Sequence, residues 1–158
     1  MANRTVWRLT SQEYADDAFS GEGARRYGGR FNSAGRRAVY TAESLALALV
    51  ETLAGLTDYE DLYRYVFFQI TLDERNVEIL SQDELPAGWD ARPPATASRK
   101  QGDAWLAERR SLALRVPSVV VPHSYNYVLN PAHPAFEEIE VPEPEAMPVD
   151  PRLAGPSE

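Results

Sequence analysis

Residues 38–55 read Ala38-Val-Tyr-Thr-Ala-Glu-Ser-Leu-Ala-Leu-Ala-Leu-Val-Glu-Thr-Leu-Ala-Gly55. Ala38-Val-Tyr-Thr41 has the β-branched and aromatic make-up of a short strand. Thr41 is then placed to cap a helix from Ala42 to about Ala54, with Gly55 as its stop. At ~100° per residue, Leu45, Ala46, Leu49, Val50 and Leu53 fill one side of that helix. Glu51 falls on the other side, beside Ser44, Leu47 and Ala48, on a face nearly bare of charge. An ordinary amphipathic helix explains that placement. A cleft floor with one projecting carboxylate explains it equally.

Outward from this strand–helix unit the elements stay short. Thr5 to Thr10 reads as a strand, and residues 11–37 as a glycine-rich loop with one helical turn near Asp16. Leu62 to Leu72 alternates, with Leu62, Val66, Phe68, Ile70 and Leu72 in one parity, so a strand is predicted there. Asn76 to Leu80 is a further strand, Pro86 to Pro94 a loop, and Ala95 to about Arg109 a helix. Leu112 to Val121 is β-branched but interrupted by Pro117, which predicts two strands or a bulged one. Tyr125 to Asn130 reads as a turn or short helix, and Phe136 to Val141 as a last strand. Short strands mixed with two helices predict an α+β fold, a single compact domain with a small mixed sheet over residues 1–141. Residues 142–158 are rich in proline and glutamate and are expected to be disordered or draped on the surface.

Composition narrows the function. The chain of 158 residues has no cysteine, which removes disulfides and thiolate metal sites. Its N-terminus lacks a signal-peptide core, and its longest apolar run, Leu45 to Val50, is far too short to span a bilayer. A cytoplasmic protein without membrane contact is expected. A net charge of −8 argues against direct binding to nucleic acid. Residues 1–37 nevertheless carry Arg4, Arg8, Arg25, Arg26, Arg30, Arg36 and Arg37 against Glu13, Asp16, Asp17 and Glu22, a local excess of +3. A small anionic ligand fits such a segment better than a polyanion does.

Individual residues give weaker signals. In Gly28-Gly29-Arg30-Phe31-Asn32 the glycines permit close backbone approach, and Arg30 offers a bidentate donor. A glycine turn beside a surface ion pair would look the same. No Gly-Lys-Ser/Thr follows, so this is not a P-loop. Arg8, inside a strand between Trp7 and Leu9, must face solvent or be held by an anion. Ser118 has no Gly-x-Ser-x-Gly surround and is not a hydrolase nucleophile. His123 and His133 lack metal-ligand spacing, so no metal site is expected. Asn126, Asn130 and His133 read as turn formers.

The ordered set says more than any one block. Val6-Trp-Arg-Leu, Gly21-Glu-Gly-Ala, Gly28-Gly-Arg-Phe-Asn-Ser-Ala-Gly35, Val39-Tyr-Thr-Ala through Glu51, Arg115-Val-Pro-Ser118 and Asn126 through Pro134 together resemble the RES-domain family, toxins of Xre–RES toxin–antitoxin pairs. Phe31 stands where the family more often has tryptophan. The family's arginine, glutamate and serine fall on Arg30, Glu51 and Ser118, with Ser124 a nearby competitor for the last. The resemblance implies a fold similar to ADP-ribosyltransferase toxins and NAD⁺ as substrate rather than cofactor. Members are described as cleaving the nicotinamide–ribose bond by hydrolysis or phosphorolysis, and some as transferring ADP-ribose to protein. On that reading Arg30, Glu51 and Tyr40 are the catalytic candidates. Arg8, Arg30, Asn32, Tyr40 and Ser118 are the candidates for binding NAD⁺. The implied partner is an Xre-like, DNA-binding antitoxin that blocks the site, in a complex compatible with a toxin homodimer. Two other readings stand beside it, a catalytically silent antitoxin-binding module and a ribonuclease toxin. The absence of a histidine pair in a basic groove disfavours the ribonuclease.

Overall fold

The computed structural model describes residues 2–155. Its strands are β1 (Asn3–Ser11), β2 (Val39–Ala42), β3 (Tyr65–Asp73), β4 (Val77–Ile79), β5 (Ala113–Pro117), β6 (Tyr125–Leu129) and β7 (Glu145–Ala146). The helices are α1 (Glu22–Tyr27), α2 (Leu45–Gly55), α3 (Thr96–Glu108) and the single turn α4 (Pro151–Ala154). The strands form one mixed sheet in the order β4-β5-β6-β2-β1-β3-β7, parallel only between β4 and β5. The expected α+β architecture with a small mixed sheet is therefore the one observed.

The sheet's two halves are unequally joined. β1 runs antiparallel to β3 from Asn3 opposite Asp73 to Ser11 opposite Tyr65. β1 meets β2 at one pair, Trp7 opposite Ala42. On one face a continuous core crosses this seam, with Val6, Phe68, Ile70 and Leu72 from one half and Val39, Tyr127 and Leu129 from the other. On the opposite face Phe31, Trp105, Leu106, Leu114, Val116 and Val128 pack over the β5–β6 half alone. Each such side chain contributes about 1.5–3 kcal/mol on burial, so the first face holds the molecule together. The second leaves room beside β1.

α3 lies on that second face, and one glycine sets its distance. A Cβ built at Gly102 would fall 1.7 Å from the Phe31 carbonyl oxygen, so helix and loop backbone touch. Trp105 is buried beside this contact and its indole N–H donates to Ser111 Oγ at 2.8 Å.

α2 departs from its expected form in two ways. Its cap is Ser44, whose Oγ accepts from the Leu47 N–H at 3.0 Å. Thr41 instead stays in β2 and donates its hydroxyl to the Tyr127 carbonyl. The buried residues are Leu47 and Ala48, which pack on Ala42, while Ala46 and Val50 are exposed. The face that carries Glu51 is thus the one turned to the sheet. Small side chains let α2 approach the sheet closely there.

Other boundaries shifted for identifiable reasons. Leu62 is buried in a 3-10 turn, Tyr59–Arg64, and β3 begins only at Tyr65. β5 ends at Pro117 without a second strand at 118–121, because proline cannot donate to the ladder. Tyr125–Leu129, read as a turn, is a central strand between β2 and β5. Asn126 and the following Asn130 suggest a turn, but Tyr127, Val128 and Leu129 are buried on both faces. Phe136–Val141 is not a strand: Pro134–Glu138 is a 3-10 turn capped by His133. The loop expected at 11–37 contains α1 as well as the 3-10 turn Gln12–Asp17.

Beyond residue 141, β7 pairs with β3, setting Ala146 opposite Val66. Tyr63 donates its hydroxyl to the Gly155 carbonyl. Residues 156–158 lie outside the described residues. Among those described, no helix is long and apolar enough to cross a membrane.

Candidate active site

The seam between β1 and β2 opens into two adjoining cavities of about 440 Å³ and 250 Å³. Both are lined by Arg8, Tyr40, Glu51 and Asn126, which therefore stand at their junction. The lining of the larger one also includes Arg30 and the exposed Asp17 and Tyr27.

Arg8 is held where the ladder is missing. Its Nε donates to the Ala18 carbonyl at 2.5 Å and Nη1 to the Tyr40 carbonyl at 2.9 Å. Among the described residues it has no carboxylate partner within 4 Å. Burial pushes its pKa down to about 10. A buried guanidinium whose charge is unanswered is a ready partner for an anion.

Arg30 is fixed from across the cavity wall. Nη1 donates to the Trp89 and Ala91 carbonyls at 2.8 and 2.9 Å. Its pKa is lowered, mainly by burial and then by the like charge of Arg92, while Glu51 acts in the opposite sense. Gly28, at φ 73°, and Gly29 deliver the chain into this position. A Cβ at Gly29 would lie 2.7 Å from Tyr40 Oη, so no larger residue fits.

The Tyr40 hydroxyl is already committed. It donates to Asn32 Oδ1 at 2.7 Å and accepts the Phe31 N–H at 3.0 Å. Burial raises its pKa above the ordinary tyrosine value, so the phenol stays protonated. What Tyr40 has left to offer a ligand is its ring. Asn32 is fully buried and donates to the Ala24, Ser33 and Arg36 carbonyls. It does not line the cavity. It braces Tyr40 and the Arg30 loop from behind, and Asp103 on α3 clamps Ser33 through its N–H and hydroxyl.

Glu51 projects from α2 and accepts from Asn126 Nδ2 on β6. That bond fixes one carboxylate oxygen and leaves the other available. Ser118 does not join this group. Its hydroxyl accepts the N–H groups of Val120 and Val121, both at 3.1 Å, and its own N–H donates to the Ser124 carbonyl. It closes the β5–β6 loop, whose Pro117 and Val119 do line the cavity. Of the six candidates, Arg8, Arg30, Tyr40 and Glu51 converge, while Asn32 and Ser118 support from outside.

Asn126 is the residue that sequence reasoning missed, having been read as a turn former. The signal lay in the Tyr125-Asn-Tyr-Val-Leu129 pattern, which places it one residue from the buried Tyr127 on the alternate parity. Among the described residues, no group of three or more His, Cys, Asp or Glu side chains is arranged to hold a metal ion.

A single α+β domain whose split sheet encloses two arginines and a glutamate defines the class. A family model described as the RES domain matches residues 5–150, and the chain belongs to the RES-domain toxin family. It is 39% identical over 133 residues to "Toxin Res" of Photorhabdus laumondii, covering 84% of this chain and 85% of that one. It is 38% identical to the "Prs ADP-ribosylating toxin" of a Sphingobium strain, covering 94% and 96%. Its fold is similar to a chain of the M. tuberculosis MbcT–MbcA toxin–antitoxin complex, with TM-score 0.75 and 22% identity over 97% of this chain and 87% of that one.

Proposed function

We propose that this chain is the toxin of a toxin–antitoxin pair and consumes NAD⁺ by breaking the bond between nicotinamide and ribose C1′. The supporting observation is the junction itself, where the Asn126-held carboxylate of Glu51 and the carboxylate-free guanidinium of Arg8 line the same two cavities. As the C1′–N bond breaks, its electron pair leaves with nicotinamide and the ribose becomes oxocarbenium-like. The fixed Glu51 carboxylate stabilises that cation or holds the ribose hydroxyls. Arg8 and Arg30 bind the pyrophosphate, and the Tyr40 ring packs near the nicotinamide ribose. An oxygen of water or inorganic phosphate then bonds to C1′, giving ADP-ribose and a proton, or ADP-ribose 1-phosphate.

Protein ADP-ribosylation is the second reading, favoured by the name of the Sphingobium relative. It shares the first step and differs only in the acceptor. An Xre-like antitoxin covering the cavity is the proposed partner, in keeping with the complex to which the structural neighbour belongs. The chain acts on NAD⁺ without a further cofactor in this scheme.

The test is to incubate the purified protein with NAD⁺, with and without phosphate, and follow nicotinamide release. Release that is stimulated by phosphate supports phosphorolysis, and release independent of it supports hydrolysis. Release seen only with added cell protein, which becomes ADP-ribosylated, supports the second reading. No release under any of these conditions from folded protein would sink all three.

A further inference from the structure

Glu51 and Asn126 line the larger cavity where it adjoins the smaller one, and among the exposed residues of its lining one aromatic side chain stands unused. Tyr27, the last residue of α1, lines the larger cavity and is 79% exposed. No other large hydrophobic or aromatic side chain among the described residues is so exposed. It takes part in neither of the aromatic pairs nor either of the cation–π contacts found in those residues. The surroundings leave space beside it. Gly23, Ala24 and Gly28 line the same cavity, and a Cβ built at Gly23, one turn before Tyr27, meets nothing within 4 Å.

We infer that Tyr27 is a stacking platform for the adenine ring of the dinucleotide, reading the half of the substrate that takes no part in bond cleavage. The inference rests on the proposed function and follows from the linear order of NAD⁺. With the nicotinamide ribose at Glu51 and the pyrophosphate at Arg8 and Arg30, the adenosine half must run on to the exposed residues of the lining. The flat ring met there is Tyr27. A purine presents a π-face and needs no hydrogen-bond code to be held, so one exposed ring between small residues is sufficient. Because this contact is far from the reacting bond, it lowers KM without changing kcat.

The experiment compares NAD⁺ with nicotinamide mononucleotide, which carries the same scissile bond but lacks the adenosine half. Tyr27→Ala is expected to raise KM for NAD⁺ roughly 5- to 30-fold, to leave kcat in place, and to leave kcat/KM for the mononucleotide unaltered. Tyr27→Phe, which keeps the ring, is expected to recover the wild-type KM. Calorimetric titration with AMP supplies a readout apart from turnover, with weaker binding to Tyr27→Ala than to wild type or Tyr27→Phe. An unchanged KM for NAD⁺ in Tyr27→Ala, or equal losses on both substrates, overturns the inference while leaving NAD⁺ cleavage intact. Tyr27-dependent AMP binding without nicotinamide release overturns the cleavage reading and retains the platform. Wild-type protein that neither cleaves NAD⁺ nor binds AMP overturns both. Tyr27 is so exposed that neither substitution threatens folding.

Discussion

A guanidinium buried without a carboxylate must be answered by something else, and at Arg8 two backbone carbonyls do part of that work. The remainder shows in its pKa, pushed down to about 10 by burial. The folded chain releases this proton at lower pH than the unfolded chain does. The unfolded state therefore binds more protons between that value and the ordinary arginine pKa, and stability from this group rises with pH across that window. Below about pH 10 the full cost of the buried charge is present, and a bound anion offsets it. Inorganic pyrophosphate is therefore expected to raise the Tm at pH 8, with the gain fading as pH passes about 10. Arg8→Gln should show a smaller gain at pH 8, the part left to Arg30, without the fading near pH 10, as thermal melts with and without pyrophosphate will reveal. Glu51 calls for a different substitution. Gln in its place can still accept from Asn126, so the far-UV spectrum and Tm should hold. Nicotinamide release should fall roughly 10²- to 10³-fold if the carboxylate's charge serves the transition state.

At the scale of elements, α3 carries two positions with opposite expectations. Its C-cap residue Arg109 sits at φ 52°, a left-handed conformation that costs a side chain with a Cβ roughly 1–2 kcal/mol. Arg109→Gly should raise stability by about 1 kcal/mol in urea unfolding without touching activity. Gly102→Ala should do the reverse, losing about 3 kcal/mol as the new methyl drives α3 from the Phe31 carbonyl. It should also reduce nicotinamide release, because the displaced loop carries Arg30. These elements also show what the sequence could tell. β3 was legible because Val66, Phe68, Ile70 and Leu72 alternate with less buried residues along one buried face. The facing of α2 was not, since eight of its eleven residues are aliphatic and any rotation buries some of them. Only its fit against Ala42 selects the Leu47–Ala48 side and so turns Glu51 inward. The site divides along the same line. Arg30, Tyr40 and Glu51 lie within one stretch whose order carried the family resemblance. The partnership of Glu51 with Asn126 spans 75 residues and depends on β2 pairing with β6. Ser118 matched the pattern too, yet a sequence does not reveal whether a hydroxyl is spent on its own loop.

For the molecule as a whole, the single Trp7–Ala42 pair makes the sheet two half-sheets, β4-β5-β6-β2 and β1-β3-β7, sharing one continuous core. The cavities lie at this seam, lined by Arg8 of β1 on one half and by Tyr40 and Asn126 of β2 and β6 on the other. Arg8 crosses this seam from β1 to the Tyr40 carbonyl of β2, supplying a hydrogen bond where the ladder has few. A ligand gripped by Arg8 on one half and by Arg30 and Asn126 on the other would tie the halves together. Amide hydrogen exchange tests this directly, because seam amides open at lower free energy than those buried in paired ladders. In the free protein, amides of β2 that face β1 should exchange faster than those along β1–β3, which has nine paired positions. ADP-ribose, which contains the pyrophosphate but not the scissile bond, should slow exchange on both β1 and β2. Arg8→Gln should speed exchange at the seam of the free protein and remove the ligand's protection. Uniform exchange across the sheet, unaltered by ligand or by Arg8→Gln, would mean that the two halves form one rigid unit and that Arg8 does not couple them.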